Sequence, residues 1–298
     1  MRYPGSKSRY AEAIAQRLAI PRDRLAHYIE PFMGGAGVAL YLMQHELRLG
    51  SRVSLGDLDP GVVALWTAVR DSPEELCDAI ASVVPGRAAY DDAKLHDGDA
   101  SKGFVACAVR KLVLHQMSAR GFGAMSGGPM TDIDSRWRPL NLRDDVRAIH
   151  FAMRGFEVEV EVRDAISLLQ RTDPNAYAYI DPPYLGMGPV LYLHCDVELH
   201  GRLSRTLQKR RRWLLSYDDA PEIRAIYEWA KIGELPVKYA GSRKSVAELL
   251  IEPPDAASVL DHSARTRLGM ARARASGVRL GRPSNSLSGR TYPSGRDA

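Results

Sequence analysis

"YAYIDPPYLG", residues 177–186, joins a short apolar run to an acidic residue and two prolines. The run is aromatic and β-branched, which is typical of a buried strand. Pro182 and Pro183 end it, because proline cannot donate a ladder hydrogen bond. Asp181 therefore falls at the carboxyl end of a strand, where open α/β sheets bind ligands. With the ring of Tyr184 beyond a stiff turn, the stretch suits a planar, amino-bearing group, although an ordinary turn with a solvated aspartate fits it equally well.

Strand-like and helix-like segments alternate along the first part of the chain. The predicted strands lie at 27–30 and 53–56, and the predicted helices lie at 8–18, 38–47 and 61–70. A strand–helix alternation of this kind indicates a parallel sheet with helices on both faces. We therefore expect an α/β fold.

The alternation stops near Pro73. Two predicted helices and a glycine-rich loop, "SARGFGAMSGGPM" at 118–130, follow before strands resume. This change predicts an insertion in an α/β domain. We place the first α/β part at 1–72, the insertion at 73–145, the second α/β part at 146–258 and a basic tail at 259–298. The strands expected in the second part lie at 155–162, 177–180, 212–216 and 248–251.

The composition is that of a globular protein, with 45% hydrophobic and 26% charged residues among 298. No stretch is long and apolar enough to span a membrane, and the N-terminus lacks the apolar segment of a secretory signal. The three cysteines (77, 107 and 195) have no metal-ligand spacing and suit a reducing compartment, so we expect a cytoplasmic protein without a metal. The net charge of +5 comes mostly from the tail, where residues 261–298 hold eight arginines and two aspartates.

"YIEPFMGGAGVAL", residues 28–40, places a glycine cluster between a predicted strand and a predicted helix. Glycines at such a turn let the backbone approach a ligand closely, and the helix N-terminus adds a positive dipole end. The spacing is not the G-x-G-x-x-G of dinucleotide-binding folds, so a nicotinamide cofactor is disfavoured.

Acidic residues follow four of the predicted strands. Asp57 follows the second strand, in "LGDLDP", and could accept hydrogen bonds from a ribose diol. The same motif could equally provide the N-cap of the next helix. Asp164, Asp181 and Asp218 occupy comparable positions. Because parallel strands end at one edge of a sheet, these carboxylates predict a shared cleft.

Four motifs in a fixed order resemble the Dam-type (D12 class) DNA adenine N6-methyltransferases: "RYPGSK", "EPFMGGAGVA", "DLDP" and "DPPY". The resemblance covers about residues 2–252 and includes "LLSYDDAPEI" and "SVAELLIE". It implies a Rossmann-like class I methyltransferase fold, with a mixed sheet, helices on both faces and an inserted helical recognition region. Under it, 1–72 becomes the cofactor-binding part, 73–145 the target-recognition region and 146–258 the catalytic part.

The resemblance also implies roles for individual residues. S-adenosylmethionine would be the cofactor, with its ribose on Asp57 and its adenine amino group on Asp164. The catalytic clamp would consist of Asp181, Pro182, Pro183 and Tyr184, with Asp181 also beside the cofactor. The remaining cofactor contacts would be Tyr3, Lys7, Glu30, Pro31, Phe32, Gly34 and Gly35.

The reaction implied by the resemblance is methylation of adenine N6 in duplex DNA, with the target base rotated out of the helix. Aspartate at position 181 favours adenine over cytosine N4, where serine is usual in this motif, and over protein glutamine, where asparagine is usual. Three alternatives stay open: the same chemistry on RNA, the same chemistry on cytosine N4, and a catalytically inactive DNA-binding relative. A restriction endonuclease counterpart is also compatible with this family.

The insertion departs from the family pattern, because it lacks the usual asparagine-rich, aromatic segment. Arg120, Arg136 and Arg138 are candidates for DNA contacts, although each could equally be a solvated charge. "KRRRW" at 209–213 is a further candidate for phosphate contact. The tail segment 264–285 resembles the arginine-rich linker of serine recombinases, and we expect a flexible basic arm there. The recognised DNA sequence does not follow from these residues.

Overall fold

The computed structural model describes residues 7–118, 136–185, 197–238 and 245–254, which include seven strands of one sheet. The strands are β1 (His27–Glu30), β2 (Arg52–Asp57), β3 (Glu157–Val162), β4 (Tyr177–Ile180), β5 (Trp213–Asp218), β6 (Lys231–Lys238) and β7 (Ser245–Glu252). A 3-10 turn (Lys7–Tyr10) precedes the first helix. The helices are α1 (Ala11–Leu18), α2 (Gly37–His45), α3 (Pro60–Asp71), α4 (Pro73–Ser82), α5 (Arg87–Leu95), α6 (Phe104–Met117), α7 (Pro139–Met153), α8 (Ala165–Arg171), α9 (Val197–Leu207) and α10 (Pro221–Ile226).

The sheet order is β3-β2-β1-β4-β5-β7-β6. The first five of these strands in space are parallel, and β7 runs antiparallel to both β5 and β6. This mixed sheet confirms the predicted Rossmann-like class I methyltransferase fold. The chain reverses its winding direction between β1 and β4, and a crevice opens at such a switch point beyond the carboxyl ends of the strands.

Helices cover both faces of the sheet because alternate residues of each central strand point to opposite sides. Tyr28 and Tyr179 belong to a core cluster that includes apolar residues of α1, α2, α3, α4, α6 and α7. Ile29 and Ile180, one position further along the same strands, belong to a second cluster with α8 and α9. All four residues of β4 are buried, as expected for a central parallel strand.

The helices of the predicted insertion are present in the described residues. α4 packs against α7, and α6 packs against both α3 and α5. The predicted boundaries at 72, 145 and 258 stay predictions, and α7 continues across residue 145. The loop at 119–130 and the tail at 259–298 lie outside the described residues, as do Tyr3, Arg120 and Cys195. Among the described helices, none combines the length and apolar character that crossing a bilayer requires.

Candidate active site

The glycine-rich turn after β1 is fixed by two neighbouring elements. Gly34 has a positive φ of 42°, a conformation that glycine adopts without steric cost. Its N–H donates to Asp57 Oδ2 at 3.0 Å, and its carbonyl accepts from Trp66 Nε1 at 2.8 Å. Ala36, which precedes α2, also has a left-handed conformation (φ 45°). The turn is therefore held in one shape by the end of β2 and by α3.

Asp57, the last residue of β2, is a carboxylate at the edge of the sheet that can accept more hydrogen bonds than the protein supplies. Its Oδ2 accepts from Gly34, and its Oδ1 accepts from the Asp59 N–H at 3.0 Å. Burial raises the pKa of Asp57 to about 6, although both N–H donors act in the opposite direction. The side chain is thus mostly ionised at neutral pH. Since a carboxylate can accept about four hydrogen bonds, acceptor capacity remains for the hydroxyl groups of a ligand.

Asp59 has the structural role that the sequence also allowed. Its Oδ1 accepts from the N–H groups of Gly61 and Val62, which makes it the N-cap of α3. Its Oδ2 lies 2.7 Å from Lys111 Nζ, which also lies 2.6 Å from Asp97 Oδ1. We call these three charged residues (Lys111, Asp59 and Asp97) the Lys111 bridge.

Gly61 lets the Lys111 side chain reach the Lys111 bridge. A Cβ atom at position 61 would lie 2.3 Å from Lys111 Cε, which is closer than two carbon atoms can approach. A side chain at this position would force the flexible end of Lys111 to shift. Glycine therefore leaves Lys111 a direct path to its two carboxylates.

Glu30 ends β1 as a buried acid. Tyr28 Oη and the Ala39 N–H both donate to Glu30 Oε2, at 2.8 and 3.0 Å. Burial raises the pKa of Glu30 to about 8, so the carboxyl is mostly protonated at neutral pH. Of the other residues predicted here, Pro31 is buried, Gly35 is half-buried and Phe32 packs against the second core cluster.

Asp164 lies beside Asp57 at the same edge of the sheet. It is the N-cap of α8, with Oδ1 accepting from the Ser167 N–H at 3.0 Å. The preceding residue, Arg163, donates its N–H to the backbone carbonyl of Asp57 at 2.9 Å. The structure therefore brings two of the predicted cofactor residues together.

Asp181 lies just beyond β4 and is held by three side chains. Ser216 Oγ, Tyr184 Oη and Lys7 Nζ contact its Oδ1 at 2.8, 3.0 and 3.0 Å. On Oδ2, the only donor within the described part of the chain is Lys7 Nζ, at 3.0 Å. Asp181 is therefore fixed in orientation while one oxygen keeps room for another donor.

Lys7 also contacts a second acid. Its Nζ lies 3.5 Å from Glu248 Oε2, on β7, and 2.8 Å from Tyr184 Oη. Burial alone would lower the pKa of Lys7, but the charges of Asp181 and Glu248 outweigh it and the pKa lies above its ordinary value. Lys7 is therefore a buried ammonium ion. We call Lys7, Asp181 and Glu248 the Lys7 bridge.

Tyr184 completes the site as a neutral phenol. Burial, followed by the charges of Asp181 and Glu248, raises the pKa of Tyr184 well above its ordinary value. Its hydroxyl donates to Asp181 Oδ1 and lies 3.3 Å from Glu248 Oε2. Its ring is therefore anchored at one end, next to the buried Pro182.

Sequence reasoning gave no role to Ser216 or Glu248. Ser216 is completely buried in β5 and also hydrogen-bonds Tyr179 Oη at 2.8 Å. Glu248 is 1% exposed, and an acid flanked by apolar residues within a strand pattern is the signal that could have identified it.

The basic candidates are divided between surface and interior. Arg138 is exposed just before α7, whereas Arg136 is half-buried and its Nη1 has no hydrogen-bond partner within the described ranges. Within "KRRRW", Arg210 is buried and donates to the backbone carbonyls of Leu169 and Asp173 at 2.6 and 2.8 Å. Arg210 therefore stabilises the end of α8 and does not face solvent. In the described ranges, no group of three acids, histidines or cysteines is arranged to hold a metal ion.

The sheet order, the glycine turn and the acidic edge define an S-adenosylmethionine-dependent methyltransferase. The chain belongs to the D12 class N6 adenine-specific DNA methyltransferase family, whose model matches residues 3–240. The resemblance stated from the four motifs is thereby confirmed. No curated protein matches the chain.

Several solved methyltransferase structures have a low similarity to the chain. The rRNA methyltransferase AviRa from Streptomyces viridochromogenes is 17% identical, with 87% of this chain and 89% of that chain covered and a TM-score of 0.38. Precorrin-6y C5,15-methyltransferase from Geobacter metallireducens GS-15 is 9% identical, with 82% and 84% covered and a TM-score of 0.37. The N-terminal domain of human METTL16, in complex with SAH, is 9% identical, with 83% and 68% covered and a TM-score of 0.35.

Proposed function

We propose that this enzyme methylates N6 of adenine in duplex DNA, with the target base rotated out of the helix and into the crevice at Asp181. The observation that carries the proposal is the state of this carboxylate. Three side chains fix Asp181 at the switch point of the sheet, and its Oδ2 accepts from Lys7 alone among the described residues. An acceptor that is fixed at this edge of the sheet suits an amino group that must be oriented.

The chemistry of an aromatic amine explains why two acceptors are needed. The lone pair of N6 is delocalised into the ring, so the free amine is a poor nucleophile. Asp181 Oδ2 and the Pro182 carbonyl would accept the two N6 hydrogens and draw the nitrogen toward a tetrahedral geometry. Orientation of this kind can lower the activation barrier of a reaction by about 7–11 kcal/mol.

The residues at the ends of β1, β2 and β3 fit S-adenosylmethionine. Asp57 has acceptor capacity for a ribose diol, Asp164 Oδ2 can accept from an adenine amino group, and the turn at Gly34 exposes backbone. When bound, the cofactor supplies an electrophilic methyl group on a sulfonium. Glu30, as a neutral acid, adds no negative charge beside the site.

Lys7 would act at Asp181, in addition to the cofactor contact that the family resemblance implies. Its ammonium contacts both oxygens of Asp181, at 3.0 Å each, and so holds the carboxyl group in one orientation. An incoming N6 amine would share or replace the Lys7 contact with Oδ2. As the amine is methylated it becomes acidic and loses a proton readily. Asp181 can therefore pass the proton of the amine to solvent without being a strong base.

On the DNA side, Tyr184 would stack on the rotated base, and the exposed Arg138 would contact phosphate. Arg120 and the tail, both outside the described residues, stay predicted DNA contacts. Sequence recognition would belong to the region 73–145. A restriction endonuclease counterpart also stays a prediction.

The test is transfer of labelled methyl from S-adenosylmethionine to unmethylated duplex DNA. Product nucleosides are then separated to distinguish N6-methyladenine from N4-methylcytosine. We expect N6-methyladenine from the wild type, and a loss of about 1000-fold or more for Asp181→Ala. Asp23→Ala, which removes an exposed acid from the loop before β1, serves as the matched control and should retain full activity.

Three results would overturn the proposal. N4-methylcytosine as the product would change the target base. Transfer to RNA with none to duplex DNA would change the substrate. Cofactor binding without transfer to either nucleic acid would identify an inactive relative.

A further inference from the structure

Tyr217 lies directly beneath the turn that carries Tyr184. It is the last residue but one of β5, and it is completely buried. Its Oη accepts from the Leu185 N–H at 2.8 Å and donates to the Pro183 carbonyl at 3.2 Å. A single hydroxyl therefore joins the two ends of the segment 183–185.

His200, on α9, supplies the third partner of this hydroxyl. Its Nε2 lies 2.9 Å from Tyr217 Oη, and the two rings meet edge to face at 5.2 Å. A phenol has one hydrogen to donate and two lone pairs. If the hydrogen goes to Pro183 and one lone pair accepts from Leu185, His200 must donate from Nε2.

The ring of Tyr217 makes a separate contact. It stacks on the ring of Tyr184 with centroids 4.8 Å apart and an interplanar angle of 28°. Tyr184 is thus held at its hydroxyl by Asp181 and Lys7, and at its face by Tyr217. Lys7 Nζ also lies over the Tyr184 ring, 5.1 Å from its centroid. The proposed function assigns this ring to stacking on the target base.

We propose that Tyr217, oriented by His200, is a positioning residue that sets the plane of Tyr184 and the shape of the turn 183–185. This inference rests on the proposed function, because it concerns the slot that receives the flipped base. Packing alone does not require the hydroxyl. The aromatic ring would fill the same volume in phenylalanine, whereas a buried hydroxyl is costly unless it is hydrogen-bonded.

The chain offers a matched control in Tyr227. It is also completely buried, but its hydroxyl has no hydrogen-bond partner among the residues that the structure describes. Tyr217→Phe and Tyr227→Phe therefore remove the same group from the same core cluster. We expect Tyr217→Phe to lower kcat for methyl transfer about 10- to 100-fold, with the Kd for S-adenosylmethionine unchanged. Tyr227→Phe should leave both constants at their wild-type values.

His200 variants test the orientation of the hydroxyl. His200→Ala removes the donor, and we expect it to lower kcat as Tyr217→Phe does. His200→Gln restores an N–H donor and should recover part of the loss. An equal loss of kcat in the two His200 variants would overturn the inference. So would an equal loss of kcat in Tyr217→Phe and Tyr227→Phe, because the effect would then come from a general disturbance of the fold.

A readout independent of activity separates this inference from the proposed function. In Tyr217→Phe the Leu185 amide loses its acceptor, and its hydrogen exchange, followed by NMR, should become at least about fivefold faster. Unchanged exchange would refute the positioning role whatever the substrate is. If the exchange is accelerated but the wild type does not methylate DNA, the positioning role of Tyr217 stands and the proposed function is refuted.

Discussion

Lys7 and Lys111 are both buried between two carboxylates; Lys7 contacts an acid just after β4, and Lys111 contacts an acid just after β2. The side chain of Lys7 is 10% exposed and that of Lys111 is 4% exposed. In each bridge the attraction of two acids outweighs the burial that would lower the pKa of the lysine. Both lysines are thus stabilised as cations in the same way. The two bridges differ in how much hydrogen-bond acceptor capacity their acids retain.

Asp59, in the Lys111 bridge, is occupied by the protein itself. One oxygen caps α3 and the other accepts from Lys111. Asp181, in the Lys7 bridge, accepts from three donors at Oδ1. Among the described residues, its Oδ2 accepts only from Lys7. A buried ion pair alone therefore does not identify a catalytic group. The unused acceptor beside a crevice is the distinguishing feature.

Among the variants that compare the two bridges, Lys7→Met should give the largest effect. Without the ammonium, Asp181 and Glu248 lose the cation that both contact, and Asp181 Oδ2 loses its one donor among the described residues. We expect the single-turnover rate of methyl transfer to fall about 100-fold. Lys231→Met, at the start of β6, removes an exposed lysine paired with Glu252; it serves as control and should match the wild type. A rate within threefold of wild type would show that the Lys7 bridge is structural after all.

Lys111→Met should act on stability and spare the chemistry. It leaves Asp59 and Asp97 without their cation, and because both acids are partly exposed we expect a loss of about 2–3 kcal/mol in the free energy of unfolding. Urea denaturation measures this loss. At saturating cofactor the transfer rate should stay near that of the wild type. A rate loss as large as that of Lys7→Met would erase the distinction between the two bridges.

Asp57 should give the cofactor side a pH dependence. Its pKa of about 6 means that the carboxylate is ionised above this pH and protonated below it. Protonation removes an acceptor for the ribose, so we expect the Kd for S-adenosylmethionine to rise about tenfold between pH 7 and pH 5. Calorimetric titration measures this change. Asp57→Asn should bind more weakly at pH 7 and lack the pH dependence, and a retained dependence would assign it to another group.

Glu30, between the two sides, should give the smallest effect. Its folded pKa of about 8 exceeds its ordinary value of 4.5. Its contribution to stability is therefore full below pH 4.5 and is lost as the pH rises through 8. At pH 6, Glu30→Gln should change the free energy of unfolding by about 1 kcal/mol or less. Above pH 7 the variant should gain relative to the wild type in denaturant titrations, and a gain on acidification would contradict the assignment.

The central part of the fold was predictable from local sequence. The strands at 27–30 and 177–180 have the predicted bounds, because short apolar runs ended by proline leave little choice. The grouping of Asp57, Asp164 and Asp181 also followed, since parallel strands share a carboxyl edge. β6 was not predicted, because Gly233 and Pro236 are unfavourable within a strand pattern.

The contacts that complete the candidate site could not be predicted. Lys7 and Asp181 are 174 positions apart, and nothing in the local sequence of either indicates the other. Glu248 reaches the carboxyl edge because β7 runs antiparallel to β5, so that the beginning of β7 lies beside the end of β5. Strand direction depends on the whole sheet and has no local sequence signal. The DPPY motif thus identified Asp181, whereas its contacts with Lys7 and Glu248 became visible only in the folded sheet.

The distance in sequence between the members of the Lys7 bridge has a consequence for protein synthesis. Lys7 leaves the ribosome early, Asp181 follows much later, and Glu248 arrives with the last strand of the sheet. A nascent or truncated chain that ends before β7 carries the complete DPPY motif without the acid that shares the charge of Lys7. Interrupted translation would therefore yield fragments that contain the motif but lack the assembled site, and methylation would be confined to finished molecules.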